Sequence, residues 1–414
     1  MKKIVALLIT FGLIFLLPTL GSMVRNGADG ILCKFEKINK HLPCGYGIFP
    51  AQSVAAPPGF NLTYFIGASV VAAFIVIFLV FPKLFGFKKP LLQTVVSEKA
   101  KFPYWFWAAL PVLIFCWVIM WTRAKLPLDL EPLTSLPISF SLEKYTFVPL
   151  WWAFICILDG FVYKRNYGIS LISSKPKVMQ LLAVVSCYSW FAFEYLNYFV
   201  MENWYYPNGE VLSNFGNIAW FSMSYTTVLP AIVEWYLLLK TFPRMRGRYS
   251  QGPRLKMGKI WMIGLYIVGI VLAFLMGYYP YQLFWVLWVA LVPLLSAVMG
   301  LNGLWTPFKP IREGNWSPLL LIAIATLING FFWEMWNFGS EWFKDGIPLN
   351  PNYWQYSVPY LDKFKIFSEM PILGYFGYLF FGVNCWILWL TAAYIFKFDP
   401  NFELKGRQDE TRGR

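Results

Sequence analysis

Four acidic residues lie within apolar stretches of the sequence, where a charged side chain is costly. They are Asp159, Glu194, Glu234 and Glu334. An ionisable group at the centre of a membrane helix costs at least about 2.5 to 3.5 kcal/mol, and loss of hydration disfavours the ionised carboxylate. We therefore expect neutral carboxyl groups that can donate a proton, which makes them candidate general acids.

Two of these acids are followed by an asparagine three positions later, Glu194 by Asn197 and Glu334 by Asn337. Residues three apart share one helix face, so we expect each amide to hydrogen-bond its acid. We interpret Glu194 and Glu334 as the catalytic acids or bases, the two asparagines as the residues that orient them, and Glu234 as a second acid. The alternative is that each pair is a hydrogen-bond clamp between helices.

Aromatic residues make up 20% of the chain and cluster around both glutamates. Aromatic ring faces hold unsaturated lipids and attract cations, the latter by about 0.5 to 2 kcal/mol each. The candidate substrate-binding residues are Trp190, Phe193, Trp204, Tyr206, Trp333, Trp336, Trp354 and Tyr356. For any single ring, the alternative is ordinary packing or anchoring at the membrane surface.

Several kinds of chemistry lack support. The single histidine, His41, lies outside every apolar stretch, which argues against haem, zinc or histidine-ligated iron in the membrane. Glycine-rich phosphate loops and metal-spaced cysteines are absent from the sequence, so we predict no metal and no cofactor.

The net charge of +14 would suggest nucleic acid in a soluble protein, but the basic residues lie in short loops between apolar stretches. We therefore expect membrane lipids as partners and no nucleic acid.

Long apolar stretches must position these residues. With 58% hydrophobic and 14% charged residues, against about a quarter charged in soluble proteins, the chain is predicted to be an all-α membrane protein. A helical span needs about 20 apolar residues, and an unpaired strand would leave backbone groups unsatisfied in lipid. The ten predicted spans are 4–22, 61–83, 103–122, 146–163, 178–200, 218–240, 260–278, 281–300, 317–339 and 367–396.

Comparison of the chain with itself at an offset near 140 residues indicates a duplication. The Glu-x-x-Asn motif at 194–197 recurs at 334–337, and the Trp-Tyr-Tyr sequence at 204–206 matches Trp-Gln-Tyr at 354–356. Each unit contains four predicted helices, so the two copies cross the membrane in the same sense as a parallel repeat. Chance similarity between Trp-rich helices is the alternative.

The predicted layout has five parts. They are a two-helix hairpin with an outer loop at 1–102, repeat A at 103–240, a basic cytoplasmic linker at 241–258, repeat B at 259–396 and a polar cytoplasmic tail at 397–414. Loops rich in Lys and Arg predict which side is cytoplasmic. With ten spans both termini are cytoplasmic, as in a multi-pass protein of the bacterial inner (cytoplasmic) membrane.

The first apolar stretch is interpreted as an anchor helix, because no clear signal-peptide cleavage site follows it. Cys33 and Cys44 share the first outer loop. A disulfide between them is one alternative, if that side is oxidising, and two free thiols are the other.

The stretch from Glu194 through Trp204-Tyr205-Tyr206 to Pro230 and Glu234 resembles the integral-membrane lycopene cyclase domain, which occurs as paired subunits or fused tandem domains. That family has an acidic residue at a helix end, then W-x-Y in a short loop, then a helix with P-x-E-E. Here Glu234 follows Pro230 by four positions, and the second copy has Asn384 at the matching place. The resemblance implies an isomerase that protonates a polyene and closes a ring without redox change, with carboxylic acids as proton donors.

Taken together, these patterns favour an integral-membrane enzyme that acts on an isoprenoid or another lipid by carboxylate acid-base chemistry. A secondary transporter is an alternative, since repeats and acids inside the membrane suit alternating access. A structural or accessory subunit of a larger membrane complex is another, in which the aromatic surface packs against partner proteins or pigments.

Overall fold

The computed structural model describes residues 2–27, 49–88, 100–122, 127–129, 139–341, 343–344, 347–348, 350–367 and 369–404. The described chain is mostly helical, and its strands are two or three residues long. Cys33 and Cys44, with the disulfide considered for them, lie outside the described residues, as does His41.

Eight helical segments among the described residues are long and apolar enough to cross a membrane. Their α-helices are α1 (Lys2–Asn26), α2 (Leu62–Val80), α3 (Tyr104–Thr122), α4 (Phe147–Arg165), α6 (Pro176–Leu196), α10 (Lys259–Tyr278), α13 (Ser317–Ser340) and α14 (Gly377–Phe396). The prediction of a multi-pass helical membrane protein is confirmed at this level.

Two of the ten predicted spans are divided in the structure. The stretch 218–240 forms α7 (Asn214–Tyr225) and α8 (Val228–Lys240), and the stretch 281–300 forms the short α11 (Val286–Val289) and α12 (Leu291–Leu301). Between α7 and α8, the hydroxyls of Thr226 and Thr227 each donate to a backbone carbonyl three residues earlier, at 2.6 Å. Such side-chain bonds compete with the helical pattern. The predicted count of ten spans is therefore not confirmed.

The remaining elements are short. The helices are α5 (Leu171–Ser174) and α9 (Pro243–Arg248). The strands form three antiparallel pairs, β1 (Pro127–Asp129) with β2 (Ser139–Ser141), β3 (Trp204–Tyr205) with β6 (Gln355–Tyr356), and β4 (Phe343–Lys344) with β5 (Ile347–Pro348).

The core of the bundle lies between α4, α8, α13 and α14, which are buried along most of their length. On its periphery, α1 packs along α10. A Cβ atom at Gly21 would collide with the backbone oxygen of Phe274, and one at Gly277 with that of Pro18, so glycine permits this close approach. Helix α1 therefore packs mainly against α10. Its predicted hairpin partner, α2, is not among its main contacts.

The bundle has two distinct ends. The strand end carries β3 and β6, and the basic end carries the chain from 243 to 259, which has six Lys and Arg residues and no acid. Helices α6 and α13 finish at the strand end, where the two Glu-x-x-Asn motifs lie. The elements that follow these motifs, β3 with α7 and β6 with α14, complete the candidate site.

Candidate functional site

Glu194 lies near the end of α6 and is completely buried. Its Oε1 accepts four hydrogen bonds, from the hydroxyls of Tyr206 at 2.5 Å and Tyr225 at 3.1 Å and from the indole N–H groups of Trp204 at 3.0 Å and Trp190 at 3.1 Å. Its Oε2 is buried and has no hydrogen-bond partner among the described residues. The side chain is thus fixed on one oxygen by four donors.

Glu334, near the end of α13, has a similar but smaller set of partners. Its Oε1 accepts from the hydroxyls of Tyr378 at 2.5 Å and Tyr356 at 2.8 Å. Its Oε2 is likewise buried and lacks a partner within the described part of the chain. Each glutamate therefore binds one tyrosine from the loop after its own helix, Tyr206 or Tyr356, and one tyrosine from the next helical segment.

The two asparagines do not orient the acids as the sequence predicted. Asn197 Oδ1 accepts from the backbone N–H of Trp204 at 3.1 Å, and its Nδ2 donates to the Trp204 carbonyl at 2.7 Å. Asn337 holds Trp354 in the same way, at 2.9 Å and 2.8 Å. Both amides position the loops that carry the tyrosines, so their effect on the acids is indirect.

The two loops pair with each other. Strand β3 runs antiparallel to β6, with Trp204 opposite Tyr356 and Tyr205 opposite Gln355. Next to this pair, Ser357 N–H donates to the Asn203 carbonyl at 2.7 Å. This small sheet ties both Glu-Tyr groups into one unit.

A cavity of about 700 Å³ lies beneath the paired loops. Six of the eight predicted substrate-binding residues line it, namely Trp190, Trp204, Tyr206, Trp333, Trp354 and Tyr356. Tyr225 and Tyr378 line it as well, and none of the described lining residues is charged. The size falls in the range of about 300 to 1,000 Å³ that is typical of ligand pockets.

The glutamates lie one layer behind this cavity. Neither Glu194 nor Glu334 belongs to its described lining, whereas all four tyrosines that donate to them do. A ligand in the cavity would therefore meet the tyrosines first, with a carboxyl directly behind each pair of hydroxyls.

Two predicted substrate-binding residues pack in the core and do not belong to the described lining. The Phe193 ring stacks on Trp288 with 5.8 Å between centroids. Trp336 is completely buried and packs edge-on against Trp151 at 4.7 Å. Phe193 therefore supports a lining residue from behind, whereas Trp336 packs among other core rings.

The sequence interpretation missed most of the lining, including the aromatic residues Tyr225, Trp288, Tyr378 and Phe381. The Phe381 ring joins the two sites, since it lies 5.6 Å from Trp190 and 5.9 Å from Trp333. No spacing in the sequence distinguishes these residues from the many other aromatic side chains. For Tyr225, Tyr378 and Phe381, the available signal was their position in the α-helices that follow the two W-x-Y loops.

The loop tyrosines are held in the neutral form. Burial, together with the nearby Glu194 carboxyl, holds the pKa of Tyr206 well above its ordinary value. The pKa of Tyr356 is raised in the same way by burial and by Glu334. Both phenols can therefore act as hydrogen-bond donors over the whole physiological range.

Glu234, predicted as a second acid, lies apart from the described lining of the cavity. It is completely buried on α8 and lies against the Asp159 carboxyl of α4. Asp159 also accepts from Trp105 Nε1 and from the Ile172 N–H, both at 3.0 Å. Both Glu234 carboxyl oxygens are buried and have no hydrogen-bond partner among the described residues, so Glu234 and Asp159 are two neighbouring acids away from the cavity.

Within the described residues, no cluster of three or more His, Cys, Asp or Glu side chains could hold a metal ion. Comparisons with family models, curated proteins and solved structures find no match to this chain.

Proposed function

We propose that this protein is an integral-membrane enzyme that transfers protons to and from an unsaturated lipid of isoprenoid type. One observation carries the proposal. Two buried glutamates are each hydrogen-bonded by two tyrosines, and all four tyrosine rings line one uncharged aromatic cavity.

The tyrosines connect each carboxyl to the cavity. When a phenol gives its proton to a substrate carbon, its oxygen becomes an acceptor, and the carboxyl behind it supplies the replacement proton. The net step moves one proton from the carboxylic acid to the substrate, and the reverse path returns one. Groups held within hydrogen-bond distance are suited to this kind of acid-base chemistry.

The two sites differ in a way that assigns their roles. Four donors at Glu194 stabilise its ionised form more than the two donors at Glu334 do, because each hydrogen bond favours the charged carboxylate. We assign Glu334 as the proton donor and Glu194 as the proton acceptor. In this proposal the two acids act together, since strands β3 and β6 join the loops that carry Tyr206 and Tyr356.

A redox-neutral reaction follows from this assignment. Protonation of a carbon-carbon double bond near Tyr356 and Tyr378 gives a carbocation, which the ring faces of Trp190, Trp288 and Trp333 stabilise. A neighbouring double bond then attacks the cation and closes a ring, and loss of a proton towards Glu194 restores an alkene. The product is an isomer of the substrate, as in the lycopene cyclase domain that the sequence resembles.

Expression in a lycopene-producing host tests the proposal. We expect a new polyene of unchanged mass in cells with the native chain, and one incorporated deuterium per ring when the purified protein reacts in D₂O. Glu194→Gln and Glu334→Gln keep the shape of the side chain but remove the ionisable proton, so each is expected to lower the rate by about 10² to 10⁴.

The matched control is Glu313→Gln, at an exposed glutamate of the basic end, which should leave the rate unchanged. Full activity in both the Glu194→Gln and the Glu334→Gln variant would contradict the assigned acids. A native chain that binds the polyene but returns it unchanged, without deuterium, would instead indicate a lipid-binding accessory protein.

A further inference from the structure

One wall of the cavity is a single helix, α2. The residues Tyr64, Gly67, Ala68, Val71, Ala72 and Ile75 of α2 line the cavity. The opposite face of α2 is exposed, as at Val70 with 64% and Phe74 with 59% of its surface accessible. In a membrane this outer face contacts lipid, so α2 alone separates this side of the cavity from the bilayer.

Helix α2 is fastened to the bundle at its two ends. At the strand end, the Tyr64 hydroxyl donates to the Gln282 carbonyl at 2.9 Å, and Asn61 N–H donates to the Tyr360 carbonyl at 3.1 Å. At the basic end, the Tyr249 hydroxyl donates to the Leu79 carbonyl at 2.8 Å. The middle of α2 packs through small side chains.

These small side chains leave a groove between α2 and the bundle. A Cβ atom at Gly67 would meet nothing within 4 Å. Across the groove, the lining is formed by Trp285, Val289 and Phe380. From Gly67 to Ile75 the groove follows α2 for about 12 Å, at 1.5 Å per residue.

We infer that this groove is the sideways entrance to the cavity and the binding slot for one apolar chain, with Gly67 and Ala72 setting how long a chain it accepts. The inference rests on the proposed function for the identity of the reacting end, but the slot itself can be tested by binding alone. The groove is continuous with the aromatic cavity and has no charged residue in its described lining. Both features fit the hydrocarbon part of a membrane-dissolved isoprenoid and exclude a charged headgroup from the slot.

The chain binds with its reactive end between the tyrosines and its tail along α2. A bulky side chain at position 72 would fill the slot at its far part and leave the tyrosine end open. Long chains should then lose affinity while short chains keep it. The same side chain at position 73, which is exposed and does not line the cavity, provides a matched control on the same helix.

The test measures binding of retinol, an uncharged polyene alcohol, to the full chain in detergent, by energy transfer from the protein's tryptophans. Geraniol, farnesol and geranylgeraniol, which lengthen by one isoprene unit at each step, are used as competitors. In the native chain we expect affinity to rise with length. Ala72→Phe should weaken the binding of geranylgeraniol by about tenfold or more and leave the affinity for geraniol within about twofold of the native value. Ala73→Phe should bind each competitor with the affinity of the native chain.

Gly67→Leu is the second variant, since its side chain enters open space and should not disturb folding. It should also weaken the binding of geranylgeraniol more than that of geraniol. Equal affinities in the native chain, Ala72→Phe and Gly67→Leu would overturn the inference. The binding assay separates this inference from the proposed function, because the slot predicts length-dependent binding whether or not the native chain converts a polyene.

Discussion

At the scale of single residues, each buried glutamate is stabilised by phenolic hydroxyls that come from later in the chain. An asparagine three positions away can reach an acid along a helix. Here both asparagines, which are completely buried, bond the backbone of a tryptophan in the next loop, and a buried backbone group without a partner would cost about 1 to 3 kcal/mol. Glu194 and Glu334 are left to the tyrosines.

The unequal number of donors at the two glutamates predicts unequal effects of removing one. Tyr378→Phe leaves Glu334 with Tyr356 as its remaining donor among the described residues, whereas Tyr225→Phe leaves Glu194 with three. We expect Tyr378→Phe to lower the free energy of unfolding by about 1 to 3 kcal/mol and Tyr225→Phe by less. Thermal unfolding in detergent measures both, and an equal loss in the two variants would contradict the difference between the sites.

Buried tyrosines outside the membrane spans predict a loss of stability in base. The pKa of Tyr206 and that of Tyr356 are raised above the ordinary value of 10.0, first by burial and then by the glutamates. Below about pH 10 the phenols are neutral in both the folded and the unfolded chain, so the stability that the two buried tyrosines contribute to the fold is fully present. Above this pH the unfolded chain ionises first, and rising pH favours unfolding.

Thermal unfolding between about pH 8 and pH 11 checks this sign. The native chain should lose stability steeply above about pH 10, and Tyr206→Phe with Tyr356→Phe should flatten part of that decline. The double variant will start from a lower stability, so the slope with pH is the quantity to compare. An unchanged slope would show that these two phenols do not control the transition.

At the scale of elements, the site depends on two short loops that are fixed by side chains of the helices before them. Helix α6 ends at Leu196 in a wide turn, Asn197–Met201, which carries the chain directly into β3. Asn197 then closes this turn onto Trp204. The pairing of β3 with β6 makes each loop part of the other's support.

Removing either asparagine should therefore loosen the paired strands. Asn197→Ala removes the side-chain partner of backbone groups of the buried Trp204, and Asn337→Ala does so at the partly buried Trp354. The expected cost is about 1 to 3 kcal/mol. Asn302→Ala is the matched control, because its amide bonds the Val298 carbonyl at the end of α12, away from the site. Unfolding midpoints and amide exchange at 203–206 and 354–357 measure the effect, which would be absent if the strands held without the asparagines.

At the scale of the whole molecule, the two ends of the bundle differ in charge and in the features that they carry. The strand end holds the aromatic cavity, and the basic end holds a run of cationic residues without acids. Basic loops prefer the cytoplasmic side. The cavity should accordingly lie in the outer half of the membrane.

Cysteine labelling tests this orientation. In a background without native cysteines, Gly59→Cys at the strand end should react with an impermeant maleimide in intact cells, and Gln251→Cys at the basic end only after permeabilisation. Both positions are exposed, so the two variants control for each other. Labelling in the reverse order would invert the predicted topology.

The sequence alone determined that the chain is a helical membrane protein, because long apolar stretches leave backbone groups no alternative in lipid. It also marked Glu194 and Glu334 and several of the rings around them, since acids in apolar segments are rare and a W-x-Y loop follows each of them. These are local properties, readable from composition and spacing.

Only the tertiary structure decided which groups touch. It placed tyrosines between the glutamates and the cavity, and it directed the asparagines to the loops. It also placed Glu234 near Asp159, outside the described lining of the cavity. It also brought α2 against the cavity from far along the chain. Contacts of this kind depend on packing between segments that are distant in sequence. Many aromatic side chains could occupy the same position, and the close packing of the folded core determines which one does.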